Sequence, residues 1–432
     1  MIMCNSKATM ARCGSLSRVE LEPNHTSLSY IRSLYLAVPH ANSLLCSHRS
    51  DAADKRGMAP PCPPPELVDD AVTEILLRLP PDEPACLFRA SLVCKPWRRL
   101  LTDADFLRRY RAFHRAPPLL GFLHKQQAIG VGYLPRFVYP PCFVPTITPT
   151  PFSKCALDGC AGWSVLDCRH GRVLFVVPID GVSLVIWDPI TGKRQQLPKP
   201  PVHLGGHSYN AAVLCVVRGC DHLDCHGGPF LVVVVVCGYV GMQSHLYYSE
   251  AGAWNSYADV GLGYLGHRDP SVLIGDDVYF INIQRWHTIL KYNLGKNCSS
   301  IIQPPVVHNK YGGIALMPME DGSLGLADVL HSKLCLWSRN PEEVAGWVEF
   351  RTIELEALIP FKSSFSIKVV GSAEGIGIIF VTTDVGVFTI ELKSGQVRKV
   401  GKHWECFTVF PFMSFYTPDF ASSILPSPAE AQ

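Results

Sequence analysis

The chain has 432 residues, 47% hydrophobic and 18% charged, which is too apolar for a disordered chain and too long for one ordinary compact core. Its 39 basic and 37 acidic residues leave a formal charge of +2, so charge favours neither nucleic acid nor an anionic membrane as a partner. The longest apolar run, Phe230 to Cys237, falls short of the roughly 18 to 20 residues of a spanning helix and reads as a buried strand.

The 17 cysteines are odd in number, scattered, and mostly set in apolar runs, as at Cys215 and Cys237. That is how a reduced thiol behaves as a small buried hydrophobe, and it points to a cytoplasmic or nuclear protein without a disulfide framework. The tightest cluster is Cys215, Cys220, His222, Asp224, Cys225 and His226. These are metal-ligand types, but they lack paired CxxC spacing. The expectation is a glycine-bearing surface loop with incidental ligands, with a zinc site as the alternative; no metal or other cofactor is assigned.

Residues 1 to 58 are rich in serine, carry more base than acid and have no clear helical period. They read as a disordered leader, with a transit peptide as the alternative. The proline-rich stretch Pro60 to Pro65 opens a helical module over residues 59 to 116. Leu67, Val72, Ile75, Leu76 and Leu79 recur at steps of three and four, so an amphipathic helix is predicted up to Pro80-Pro81. A second helix follows, with Asp82 as its cap, Pro84 in its first turn, and Leu87, Phe88, Leu92 and Val93 as its apolar stripe. Pro96 ends or kinks it, and Trp97, Leu100, Leu101, Phe106, Leu107 and Tyr110 mark a third helical stretch.

Charge is divided within this module. Six acids and Arg78 lie between Glu66 and Glu83, whereas eight basic residues face only Asp103 and Asp105 between Arg89 and Arg115. Three short helices bury little apolar surface alone, so such a stripe requires a partner, and an apolar groove with an acidic rim fits it.

The run Leu67-Val-Asp-Asp-Ala-Val-Thr-Glu-Ile-Leu-Leu-Arg-Leu-Pro80, then Ser91-Leu-Val-Cys-Lys-Pro-Trp-Arg-Arg-Leu100 and Phe106-Leu-Arg-Arg-Tyr110, resembles the F-box of plant proteins. The resemblance implies docking on the Skp-type adaptor of a Skp, cullin, F-box ubiquitin ligase. Leu67, Ile75, Leu76, Leu79, Leu87, Val93, Cys94 and Trp97 match the family's adaptor-facing or core positions. The chain departs from the family at Val68, where proline is usual, and at Ala71, where a larger aliphatic is common. Each lost buried methylene is worth about 0.8 kcal/mol, so the first anchor is expected to be weaker by several-fold in affinity.

From Pro117 the helical period disappears. The strongest strand runs, Arg172 to Val177, Phe230 to Cys237, Asp277 to Asn282, Ser323 to Val329 and Ile376 to Thr382, start roughly fifty residues apart, the period of a four-stranded propeller blade. Each has a strand ahead, such as Trp163 to Leu166 or Ser271 to Ile274, and a hairpin behind, such as Leu184 to Pro198, Ile289 to Pro304 or Val387 to Val400. Five such units leave Leu119 to Leu123 and Phe137 to Tyr139 in front, and Glu405 to Phe410 and Met413 to Tyr416 behind, as a sixth blade joining both ends of the ring. Six blades over residues 117 to 420 are expected, with five or seven blades or an open pair of β-sandwiches as alternatives, and residues 421 to 432 as a disordered tail. Val165-Leu-Asp-Cys-Arg-His-Gly-Arg-Val-Leu-Phe175 and Val185-Ile-Trp-Asp-Pro-Ile-Thr-Gly192 resemble the F-box-associated β-propeller.

No catalytic signature stands in context. Gly261-Leu-Gly-Tyr-Leu-Gly266 matches GxGxxG and His267-Arg268-Asp269 follows it, but the chain then reaches Pro270 and a strand, not the helix a phosphate needs. Asp188 reads as a turn starter; Asp276-Asp277 and Glu342-Glu343 read as solvated acids. The resemblances imply a mainly β protein with a small N-terminal three-helix F-box module. It would be a non-enzymatic substrate receptor of a ubiquitin ligase, with an adaptor, a cullin scaffold and an unknown protein substrate as partners, and neither nucleic acid nor membrane. A non-proteolytic binding or sensing scaffold, and a diverged F-box protein without ligase assembly, remain the alternatives.

Overall fold

The structure is a computed structural model that describes residues 68–126, 141–147, 157, 159–177, 182–202, 204, 208–217, 219–238, 241–259, 270–282, 288–305, 313–340, 346–402 and 406–419. The expectations for the leader, the tail, Leu67, Phe137 to Tyr139, the GxGxxG loop and Glu342-Glu343 lie outside these residues. Residues up to Val72 and residues from Thr73 onward form separate units, the second carrying the later helices and all the strands.

Among the described residues, four helices lie in the helical module: α1 (Asp69–Leu77), α2 (Pro84–Ser91), α3 (Lys95–Leu101) and α4 (Ala104–His114). The expected third stretch is therefore two helices, because Asp103 breaks it. Its carboxylate accepts hydrogen bonds from the Asp105 and Phe106 amides at 3.1 and 3.0 Å and starts α4 afresh. At α2 the cap is Glu83 rather than Asp82 and makes no side-chain cap bond; Pro84 begins the helix, where its missing N–H is no loss. Pro96 likewise falls in the first turn of α3 and starts that helix.

The remaining residues form a six-bladed propeller. Five four-stranded antiparallel sheets follow in chain order. They are β3 (Ser164–Arg169), β4 (Arg172–Val177), β5 (Ser183–Trp187) and β6 (Arg194–Gln196); β7 (Ser208–Cys215), β8 (Phe230–Gly238), β9 (Gly241–Tyr248) and β10 (Ala253–Asp259); β11 (Val272–Ile274), β12 (Asp277–Asn282), β13 (Thr288–Asn293) and β14 (Cys298–Ile302); β15 (Ala315–Pro318), β16 (Leu324–Leu330), β17 (Lys333–Arg339) and β18 (Trp347–Glu354); and β19 (Lys368–Ala373), β20 (Ile378–Thr382), β21 (Gly386–Glu391) and β22 (Val397–Lys402). The five strongest strand runs of the sequence are the second strands of these blades.

The sixth sheet joins the two ends of the ring. Among the described residues it has three strands in the order β2 (Cys142–Pro145), β1 (Leu119–Gln126), β23 (Cys406–Met413). β1 pairs antiparallel with β23, and β23 lies beside β3 on one side and β19 on the other, which closes the circle. The expected strand Met413 to Tyr416 does not form, since β23 runs on to Met413 and the chain then leaves the sheet.

Six apolar clusters fill the six interfaces between blades, and strand alternation assigns residues to them. Along β8, Phe230, Val232, Val234 and Val236 pack toward the first blade, while Leu231, Val233, Val235 and Cys237 pack toward the third. Both faces of a central strand are thus buried, which is why this run is continuously apolar rather than alternating. Phe410 and Phe412 of β23 pack with Val165, Phe175 and Trp187 of the first blade. Val409, on the other face, packs with Val370, Phe380 and Val387 of the fifth.

Candidate functional site

The residues expected to meet an adaptor divide by burial. Leu76, Leu79 and Leu87 are buried, at 0%, 4% and 1% exposure, and hold the helices together. Ile75 and Trp97 are half-buried, and Val93 and Cys94 are exposed. Leu92, assigned by periodicity to the stripe of the second helix, is 81% exposed because α2 ends at Ser91 and Leu92 is its terminal cap. The turn Leu92-Val93-Cys94 is therefore an apolar surface between two helices. Phe113 on α4 is a further exposed aromatic that the sequence reading passed over.

The basic face of α4 is in part committed within the chain. Arg108 reaches Asp224 at 2.8 Å and Asp221 at 3.2 Å, and Arg111 also pairs with Asp224. Both acids belong to the long loop between β7 and β8 of the propeller. Arg109 turns instead to Glu74 at 3.3 Å. Apolar contacts support the same junction: Phe88 lies 5.0 Å from Tyr416 and Tyr110 lies 6.2 Å from Phe415, ring centre to ring centre. The Tyr110 hydroxyl donates to the Leu79 carbonyl at 2.8 Å, and burial raises its pKa. The expectation of an acidic rim on a partner is thus corrected for Arg108 and Arg111, whose acids are internal.

At the propeller axis, the Arg169 guanidinium joins several blades. It donates to Glu374 at 2.6 and 3.0 Å, to Asp167 at 2.8 Å, and to the carbonyl and hydroxyl of Ser271 at 2.8 and 3.1 Å. Asp167 also accepts the Val213 amide of β7 at 2.9 Å. Burial pushes the Asp167 carboxyl up to about 6, against the pull of Arg169 and the Val213 amide. Burial alone would lower the Arg169 pKa, but Asp167 and Glu374 outweigh it and keep the guanidinium charged. The arrangement ties together four of the blades, through Asp167 and Arg169, Val213, Ser271 and Glu374.

Asp188 and Asp277 have local partners that hold turns and strands in place. Asp188 accepts the Ile190 and Thr191 amides at 2.9 and 3.2 Å and the Thr191 hydroxyl at 2.7 Å, as a turn starter does. Burial would raise its carboxyl, but His226 at 3.0 Å and Thr191 hold it below the ordinary value. Asp277 is fixed by Lys291 at 2.7 Å and Asn293 at 2.6 Å. Strand β11 spans Val272–Ile274, one residue shorter than the Ser271 to Ile274 run expected from sequence.

Two family models match the chain. The F-box domain matches residues 65–109, and the family described as "F-box protein AT5G49610-like, beta-propeller" matches residues 164–420, more than half the chain. The chain belongs to this F-box propeller family. No curated protein matches the F-box protein. Among solved structures it is similar to TolB from Acinetobacter baumannii (12% identity, 70% of this chain and 68% of that one, TM-score 0.35). It is also similar to AofleA from Arthrobotrys oligospora (13%, 55% and 70%, TM-score 0.34) and to the six-bladed Aleuria aurantia lectin (13%, 69% and 98%, TM-score 0.35). An F-box joined to a propeller supports a substrate-adaptor role for the F-box protein, with Skp-type adaptors the usual partners of its helical domain.

Proposed function

We propose that this chain is the substrate-receptor subunit of a Skp, cullin, F-box type ubiquitin ligase. The helical module docks on the adaptor, the adaptor joins the cullin scaffold, and the propeller holds a protein substrate for ubiquitination by other subunits. Leu76, Leu79 and Leu87 shape the docking face, and Ile75, Val93, Cys94 and Trp97, with Leu92, meet the adaptor; Leu67 is carried as a further contact by its match to the family. The observation that carries this reading is the apolar turn Leu92-Val93-Cys94, held in the open between α2 and α3 inside the F-box match. Such a surface costs free energy in water unless a partner covers it.

The chain contributes no catalytic residue in this scheme. Its effect is positional, because tethering raises the local concentration of substrate lysines near the charged ubiquitin carrier. The cytoplasm and nucleus are the proposed compartments.

The test is co-purification from plant cells. The unaltered chain is expected to recover the adaptor and cullin, and Leu92→Asp with Val93→Asp is expected to lose both while the melting temperature stays unchanged. Absence of adaptor from the unaltered sample, or equal recovery with the variant, sinks the proposal.

A further inference from the structure

Of the six potential ligands at the end of β7 and in the loop between β7 and β8, two are used elsewhere. Asp224 turns to Arg108 and Arg111, and His226 to Asp188. The other four converge: the ligand atoms of Cys215, Cys220, His222 and Cys225 all lie within 4.8 Å of one another. The Cys225 sulfur and His222 Nδ1 are 3.8 Å apart. Tetrahedral zinc with Zn–S bonds of about 2.3 Å separates its sulfurs by about 3.8 Å, so a slight contraction brings all four onto one ion.

Packing does not explain this gathering. Cys160 and Cys237 belong to the apolar clusters between blades, as reduced cysteine ordinarily does, whereas Cys215, Cys220 and Cys225 belong to none of those six clusters. All three are free thiols, so no disulfide accounts for the convergence. Their surroundings are built to hold the loop. Buried Arg172 of β4 donates to the Cys225 carbonyl at 3.2 Å and to the Gly228 carbonyl, and the His222 amide donates to the Cys220 sulfur at 3.4 Å. The His222 ring stacks on His170 at 4.3 Å.

We infer that Cys215, Cys220, His222 and Cys225 form a structural zinc site that fixes the loop gripping helix α4. Three thiolates and one imidazole are a closed tetrahedral set of the kind structural zinc takes, with no position left for a water. The two acids that pair with α4, Asp221 and Asp224, alternate with the ligands along the chain, so the ion sets their positions.

The test is the metal content of the purified full-length chain, by inductively coupled plasma mass spectrometry. One zinc per chain is expected; it is lost in His222→Ala, retained in His222→Cys, and unaffected by Cys142→Ser or Cys298→Ser, both at exposed cysteines outside the cluster. His222 is exposed, so its substitution spares the core. Removing zinc by chelation should raise amide exchange in residues 104–114 and open the cluster to alkylation, and added zinc should reverse both. A chain that holds no zinc and gains no protection from added zinc, a His222→Ala variant with undiminished zinc, or an intact mass showing a disulfide within the cluster overturns the inference.

Discussion

Arg169 and Glu374 are 205 residues apart in sequence and meet at 2.6 Å across the axis of the propeller. One belongs to the first blade and the other follows the innermost strand of the fifth, so each blade's position is checked against a distant one. Glu374→Ala takes charge-assisted hydrogen bonds from a buried guanidinium that keeps Asp167 and Ser271, and is expected to cost about 1.5 to 3 kcal/mol. Denaturant unfolding measures it; a loss below about 1 kcal/mol means that water screens the pair. Arg169→Met should cost more than Glu374→Ala, because it leaves the buried Asp167 carboxylate without its counter-ion.

The pairing of Arg111 with Asp224 is expected to couple the F-box helices to the propeller. The Arg111 side chain is 13% exposed and that of Asp224 is 34% exposed, so the pair is part-buried and its coupling is put at about 1 kcal/mol. A double-mutant cycle with Arg111→Ala and Asp224→Ala reads this directly, and hydrogen exchange in α4 should rise in both single variants. Additive effects on stability contradict the coupling.

Neighbouring leucines of the F-box should respond in opposite ways. Leu87→Ala empties a buried position and is expected to cost about 2 to 5 kcal/mol. Leu92→Ala touches no core and should change stability by no more than about 0.5 kcal/mol, yet weaken adaptor binding tenfold or more. Calorimetric titration with the adaptor separates the two; a large stability loss at Leu92 contradicts the exposure of this turn.

Mild acid should weaken the propeller through His124. Burial lowers this histidine's pKa from 6.5 to about 4, so the folded chain favours its neutral form. The unfolded chain takes up the proton first as pH falls. The stability is therefore fully present above pH 6.5 and is lost progressively toward pH 4, by a few kcal/mol from this group. His124→Gln should flatten urea-derived stability across that window. An unchanged slope in the variant rules His124 out as a source of acid sensitivity.

The blades were legible because each central strand is buried on both faces, and runs such as Phe230 to Cys237 carry that burial in their composition. The hairpins were legible through their turn residues, as at Asp188 to Gly192. Positions decided by an abrupt end or by a distant partner were not. Periodicity carried the second helix through Leu92 and Val93, although the chain leaves the helix at Ser91 and turns both outward. The single third stretch concealed a capping aspartate at 103. Asp167 and Arg169 lie in the run Val165 to Phe175 that resembles the propeller family, but their partners Ser271 and Glu374 lie more than a hundred residues away, and no local pattern reports such a meeting. The loop cysteines were visible as ligand types, while their convergence depends on how the loop folds back between β7 and β8.

The sheet shared by β1 and β23 gives synthesis a direction. Emerging from the ribosome, β1 has β2 as a neighbour but must wait for nearly the whole propeller to be translated before its other edge is covered. Until then Phe122 and Leu123 stand against unfinished neighbours, a state that calls for chaperones. A message cut short before the codons for Cys406 to Met413 yields an open ring with a bare strand edge, which quality control can recognise and remove. Only a chain translated through β23 closes the ring, so this strand serves as the ring's own certificate of closure.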